Sequence, residues 1–397
     1  MNGDMKRRYA LFALFAVPGL SISSWVTRTP AIRDLIGAST AEMGLVLFGL
    51  SVGSMMGVLA SGPLVARLGT KPVVVGGMLG IVVSSPTIGL GAETSSALIV
   101  GVGLFLFGLG MGVSEIAMNV EGADVEDVLK IPTLPPMHGF FSLGTLVGAT
   151  AGMVLTVVNL PVAVHLLSVG ILSGAIFAIS IRRLPSGIGR RQGPRTGKKT
   201  SEEAAWKDPK LLLIGFIVLA MAFSEGTAND WLPLLMVDGH GFAPGSGAAV
   251  YMIFAGAMTA GRFLGTPVLA RWGARSSICG SAVLGSAGLT LVIVPDSQVF
   301  AVTGVILWGL GAALGFPVAI SAAGSSGANP TARVALVSTV GYLAFLVGPP
   351  VLGTLGEHYG LRLAMLAVLT LLVVTALASS ALKMREPTVV PKREHAR

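Results

Sequence analysis

Pro63-Leu-Val-Ala-Arg67-Leu-Gly69-Thr-Lys71 is answered 204 residues later by Pro267-Val-Leu-Ala-Arg271-Trp-Gly273-Ala-Arg275. Each copy follows an apolar run of bilayer-spanning length, and their separation is about half of the 397-residue chain. A basic turn repeated at that interval between hydrophobic segments predicts an internally duplicated membrane protein, an architecture used by solute carriers.

Composition agrees. The chain is 53% hydrophobic and 12% charged, where soluble domains carry about 25% charged residues. Twelve apolar stretches can be drawn, at about 9–28, 41–61, 73–92, 97–120, 137–159, 162–182, 211–232, 248–270, 276–295, 299–320, 334–354 and 361–382 (spans 1 to 12). Continuous runs near ~20 residues exclude an outer-membrane barrel, whose strands are shorter and alternate. The expected fold class is therefore all-α and integral to the membrane.

The net charge of +8 would suggest nucleic acid in a soluble protein. Here its placement matters more. Of 27 Lys and Arg, 23 fall at the termini and in loops on their side, three (Arg28, Arg33, Arg362) fall on the other side, and Arg262 lies within a span. The positive-inside rule then predicts that both termini are cytoplasmic, and no nucleic-acid partner is expected. Cys279 is the only cysteine, which excludes an intrachain disulfide and a cysteine metal cluster. The first apolar run is too long for a signal-peptide core and lacks a clear cleavage site, so an uncleaved first span is expected.

The polar stretch 183–209, rich in Gly and basic residues, divides the chain into a six-span half at 1–182 and another at 210–397. Its composition predicts a flexible cytoplasmic linker. Phe107-Gly-Leu-Gly110 in span 4 is echoed by Trp308-Gly-Leu-Gly311 in span 10, and His138-Gly-Phe140 in span 5 more loosely by Val340-Gly-Tyr342 in span 11. An even number of spans per half predicts parallel repeats about an axis along the membrane normal. The many glycines at small-xxx-small spacing read mainly as close helix packing. Pro349-Pro350 in span 11 is a candidate bending point.

Gly62, Arg67, Gly69 and Lys71, and more loosely Arg271, Gly273 and Arg275, resemble the loop signature of the major facilitator superfamily. The resemblance implies twelve helices in two pseudo-symmetric six-helix bundles, alternating access, and gating roles for Arg67, Lys71, Arg271 and Arg275. Ala66 and Ala270 stand where the superfamily usually has aspartate, which leaves the implied latch incomplete. A closer likeness, to the bacterial inner-membrane YbjJ group near the fucose permease branch, is carried by 24–34, 119–122, 138–145, 225–238 and 341–350. It implies an inner-membrane location. Within that branch Glu115-x-x-x-Asn119 resembles an acid motif of span 4, and Gly261-Arg262-Phe263-x-Gly265 resembles a span 8 motif. The span 1 acid of the sugar–proton symporters is missing; Trp25 and Arg28 occupy roughly its place. The superfamily default is a functional monomer without cofactors.

Charges inside spans are costly, about 2.5–3.5 kcal/mol on insertion scales, and by default mark a cavity or relay. Glu115 shares a stripe with Gly108, Gly112 and Asn119, so the glycines are expected to clear space beside a substrate-binding or proton-coupling acid. Span 7 supplies Glu225 and Asn229, with Glu225 a second candidate for proton coupling. Asp230 is expected near the outer interface beside Trp231. Ser21, Ser24, Trp25 and Arg28 share one face of span 1; the indole offers a stacking surface and the guanidinium a fork for oxygens. The alternative is a belt aromatic beside an outer-surface cation. Arg262 needs an acid, and Glu225 is the nearest candidate. The expected substrate-binding set is thus Ser24, Trp25, Arg28, Glu115, Asn119, Glu225, Asn229, Arg262 and Tyr342. His138 is a candidate gate residue, with Glu121 as its expected contact. No H-E-x-x-H or G-x-x-x-x-G-K-[ST] motif occurs, so no metal site, nucleotide site or enzyme activity is expected.

The expectation is secondary transport of a small, polar organic solute, a sugar being one candidate, coupled to protons with the direction open, and with solute, protons and the lipid bilayer as the partners. Efflux of drugs or metabolites is the alternative within transport. A solute sensor with a transporter's shape is the alternative outside it.

Overall fold

Among the described residues, twelve helices are long and apolar enough to cross a membrane. They belong to a computed structural model that describes residues 3–131, 133–190, 207–327 and 330–381, and every regular element among the described residues is helical. Spans 1 to 6 are Gly3–Val26, Thr40–Leu68, Thr70–Glu93, Ala97–Leu129, Pro136–Val157 and Val162–Arg183. Span 7 is Pro209–His240, spans 8 and 9 come from the continuous run Pro244–Ile293, and spans 10 to 12 are Gln298–Ser325, Arg333–Tyr359 and Leu361–Ser379. Both described ends of the chain lie on one side, here the terminal end; the opposite side is the far end.

The duplicated turn is duplicated in backbone as well. Gly69 has φ 86° and ψ 170°; Gly273 has φ 72° and ψ 171° and breaks the run Pro244–Ile293 into two helices. A side chain resists that region, so glycine is the residue that lets each chain reverse there. The Gly-Leu-Gly echo is also shared. Gly108 packs on span 2 and Gly110 on span 3, while Gly309 packs on span 8 and Gly311 on span 9. A Cβ at Gly309 would come 2.8 Å from the Phe254 carbonyl oxygen, and one at Gly311 2.7 Å from that of Ser281. Between helices already in lipid, such backbone approach replaces the hydrophobic drive of a soluble core.

Gly108 and Gly112 correct one expectation. Both lie against the backbone of span 2, at Leu50, Ser54 and Gly57, so they seat a helix and open no space beside Glu115. The linker also begins packed. Thr70 donates its backbone N–H to the Ile188 carbonyl at 2.8 Å, and Lys71 Nζ donates to the Leu184 carbonyl at 2.8 Å. The first bond occupies an amide that the start of span 3 would otherwise leave unpaired. Residues 191–206 of the linker and the five basic residues beyond 381 lie outside the described residues.

At the far end, a short helix Thr29–Ile36 follows span 1, with Pro in its first turn and Gly37 closing it at φ 64°. Ser39 and Glu42 then form a reciprocal capping box that starts span 2.

The two halves meet toward this end. Arg33 pairs with Asp238, and the Ala41 N–H donates to Glu357 at 3.2 Å. Ser51 Oγ donates to the Phe345 carbonyl at 2.7 Å. Spans 2 and 11 cross where Gly44 faces Pro349 and Gly353; a Cβ on Gly44 would lie 2.7 Å from the Pro349 oxygen. At the terminal end the ion pairs Arg7–Glu121 and Arg333–Asp208 each stay within one half.

Candidate functional site

Glu225, near the middle of span 7, accepts from Arg262 of span 8 at 2.9 Å, and Arg262 Nη1 reaches Ser142 Oγ of span 5 at 3.3 Å. Glu225 and Arg262 come from one half and Ser142 from the other, so one guanidinium spans the boundary between halves. The pair is not sealed: the Glu225 and Arg262 side chains retain 17% and 31% of their exposure. A carboxylate and guanidinium this accessible can exchange their contact for one to a solute or water.

Asn229, one turn from Glu225, accepts from the Tyr251 hydroxyl at 3.1 Å. Tyr251 is fully buried and was not singled out in the sequence, where it looks like an ordinary apolar-span aromatic. Asp230 is buried, not snorkelled at an interface, and Trp231 beside it is fully buried. The halves close over that level of span 7, which takes it out of the position a lone helix would give it.

Glu115 of span 4 lies within electrostatic reach of the Tyr342 hydroxyl of span 11, in the other half. The Asn119 amide oxygen, one turn on, is buried without a hydrogen-bond partner. Such an acceptor costs free energy unless a donor arrives.

His138 is exposed, packs edge-on against Phe15 with centroids 5.2 Å apart, and feels the charge of Arg262. Its expected contact with Glu121 does not form. Glu121 is instead held by Arg7 at 2.7 Å and by the Thr70 hydroxyl, and Arg7 also reaches Asp124 at 2.8 Å. Span 1 of the same half supplies a cation close enough to take the acid first. Of the four basic gate candidates, Lys71 binds the Leu184 carbonyl, while Arg67, Arg271 and Arg275 are exposed at the terminal end.

The span 1 stripe lies apart from this cluster. Ser24 is fully buried and donates to the Leu20 carbonyl at 2.7 Å; Trp25 is 1% exposed and packed into the core between halves. Arg28 is not an outer-surface cation: it is 3% exposed and donates to His165 Nδ1 of span 6 at 3.1 Å. Two apolar surface grooves, of about 440 and 510 Å³, lie between spans 3 and 6 and between spans 2 and 4, away from all these groups.

Among the described residues no cluster of His, Cys, Asp and Glu could hold a metal ion.

Comparison with known proteins agrees with the architecture. The sequence model of the Major Facilitator Superfamily matches residues 137–332. An MFS-type transporter of Yersinia pestis is 27% identical over 368 residues, spanning 92% of this chain and 93% of that protein. Among solved structures, the D323A mutant of the nucleoside transporter NupG superposes with a TM-score of 0.76 at 16% identity, over 96% of this chain and 99% of that one. The MFS transporter FucP, in the outward conformation, gives 0.64 at 15% identity over 96% and 99%. This chain is a twelve-span membrane protein with the major facilitator fold, similar in sequence to transporters of that superfamily.

Proposed function

We propose that the chain is a secondary active transporter that carries a small, polar, sugar-like solute by alternating access, with protons as the coupling ion. The observation that carries this reading is the Glu225–Arg262–Ser142 contact, a partly buried charge pair at mid-depth on the boundary between two six-helix halves. Charges at that depth are costly unless they face a cavity or a partner. Glu115, Tyr342 and Asn119 add an acid, a hydroxyl and an unpaired acceptor from the two halves, a set suited to hydroxyl and amine donors.

In this reading the conformation is closed at the far end by the Arg33–Asp238 pair and the Gly44–Gly353 crossing. Rocking of the halves would break those contacts and expose the cluster to the other side. Glu115 and Glu225 are the groups through which a proton would couple to that movement. The excess of basic residues at the terminal end supports an inner-membrane orientation with cytoplasmic termini, and the likeness to the YbjJ group belongs to the same proposal.

The test is flux in proteoliposomes, using solutes chosen by a thermal-shift screen of sugars, sugar acids and cationic compounds. Accumulation that follows an imposed pH gradient, and disappears in Glu225→Gln, supports the reading. Flux indifferent to the gradient throughout the pH range removes the coupling claim.

A further inference from the structure

Asp230 of span 7 is a buried acid that the proposed transport site does not use. It is 6% exposed, and among the described residues no hydrogen bond or ion pair reaches its carboxylate. Six other aspartates, Asp34, Asp124, Asp127, Asp208, Asp238 and Asp296, each form an ion pair. The seventh, Asp4, stands in the first turn of span 1. Asp230 therefore has the burial of a core residue without the partner that a buried carboxylate needs.

The elements packed against span 7 offer no counter-charge. Span 10 carries no titratable side chain. On the others, Arg28 bonds His165, Arg33 bonds Asp238, Arg262 bonds Glu225, Arg333 bonds Asp208 and Arg362 bonds Asp296. Their remaining Lys and Arg side chains lie at the terminal end. Glu357 accepts from Ala41, and His358 bonds the Thr354 carbonyl of its own helix. His240 of span 7 itself is about 15 Å along the helix at 1.5 Å per residue. Tyr251 of span 8 is within electrostatic reach of Asp230, but its hydroxyl proton is already given to Asn229 at 3.1 Å. A charge left in such surroundings is strongly disfavoured, and a carboxyl avoids it by keeping its proton.

The same level of span 7 underlies the far-end closure. A Cβ on Gly353 would lie 3.3 Å from the Trp231 ring and 3.0 Å from Gly44 Cα. The residue next to Asp230 thus fills the underside of the crossing of spans 2 and 11, where it is fully buried.

We propose that Asp230 is a proton site that controls the far end: the closed form holds it as the neutral acid, and parting of the crossing lets water reach it and take the proton. The proton leaves to water on the far side, and one is taken up again before the crossing closes. The closed form then holds one proton more than the open form, so rising pH favours opening, by up to about tenfold per pH unit. The window runs upward from about 3.9, the ordinary aspartate value that a wetted Asp230 has. This inference rests on the reading that the far end opens and closes, and it adds to Glu115 and Glu225 an acid placed at the closure itself.

The experiment reads far-end opening with single cysteines in a Cys279→Ser background, in vesicles with the far end outward and a membrane-impermeant maleimide outside. Leu47→Cys, at a fully buried position, reports opening; Leu35→Cys, at a position 45% exposed at the same end, corrects for the pH dependence of the labelling reaction. The corrected rate at Leu47→Cys should climb with external pH toward about tenfold per unit. With Asp230→Asn, whose amide cannot ionise, it should stay at the low-pH value throughout. A parental rate indifferent to pH, or an Asp230→Asn rate that keeps the parental pH dependence, overturns the site. Gly44→Ala, which crowds the crossing, separates the two readings: if it speeds labelling and pH does not, Asp230 alone is refuted, and if neither does, the moving far end is refuted with it. Should Asp230→Asn fail to fold, infrared spectra of the parental protein carrying isotope-labelled aspartate decide. A labelled protonated-carboxyl band at neutral pH supports the site, since aspartates in contact with water are ionised there, and its absence overturns it.

Discussion

Replacing Gly44 by alanine should open the far end. The added Cβ would lie 2.7 Å from the Pro349 carbonyl oxygen and 3.1 Å from Gly353 Cα, both backbone atoms that cannot rotate away. Overpacking of this kind costs about 1–3 kcal/mol. The clash exists only while spans 2 and 11 cross at Gly44, so the whole cost falls on the closed form. At about 1.4 kcal/mol per factor of ten, the balance shifts by roughly fivefold to a hundredfold toward a form open at the far end.

The shift can be read from a single cysteine placed at Leu47, one turn from Gly44 and fully buried, in a Cys279→Ser background. The rate of its reaction with a membrane-impermeant maleimide, added from the far side, should rise by the same factor. A folded Gly44→Ala protein that labels at the parental rate would refute the claim that this crossing closes the far end.

Other changes separate structural from transport roles. Glu225→Gln and Arg262→Met should each lower stability by about 1–3 kcal/mol, the range for removing a charged hydrogen bond, and abolish accumulation. The double apolar replacement should restore unfolding temperature without restoring flux; if it restores both, the pair is dispensable to transport. Glu121→Ala strands Arg7, which keeps only Asp124, and should cost about 3 kcal/mol, the low end for a broken buried pair; an unchanged unfolding temperature would show that Glu121 is not a structural anchor. The hydrogen bond from Arg333, helped by backbone N–H groups of Lys210 and Leu211, holds the Asp208 carboxyl below its usual range at the start of span 7. A depressed carboxyl contributes stability above its unfolded value, about 3.9, and loses it as pH falls from there through the folded value. Thermal scans should therefore show Asp208→Asn missing part of the wild type's loss of stability below that pH; parallel curves would contradict this.

The architecture was legible because it depends on signals that are local and repeated. Apolar runs fix the spans, and Gly69 and Gly273 mark reversals by a backbone geometry that other residues resist. Glu225 and Arg262 were legible as a pair because two opposite charges in one half's spans have few other partners. Contacts between helices distant in sequence were harder. His165 sits in an apolar run and gave no sign that it would meet Arg28. Glu121 looked available to His138 because nothing in the sequence ranks Arg7 as nearer. The Gly108–Gly112 stripe faces span 2, which periodicity cannot reveal: it shows that residues share a face, not what that face meets.

The central claim is that the two halves alternate around the Glu225–Arg262 level and carry a solute with them. Counterflow in proteoliposomes tests it most directly. Vesicles loaded with an unlabelled solute that stabilises the protein should draw in labelled solute transiently, and the Arg262→Met protein should not. Tight binding in detergent with no counterflow in folded, reconstituted wild type would contradict the account and leave a solute sensor in a transporter's fold.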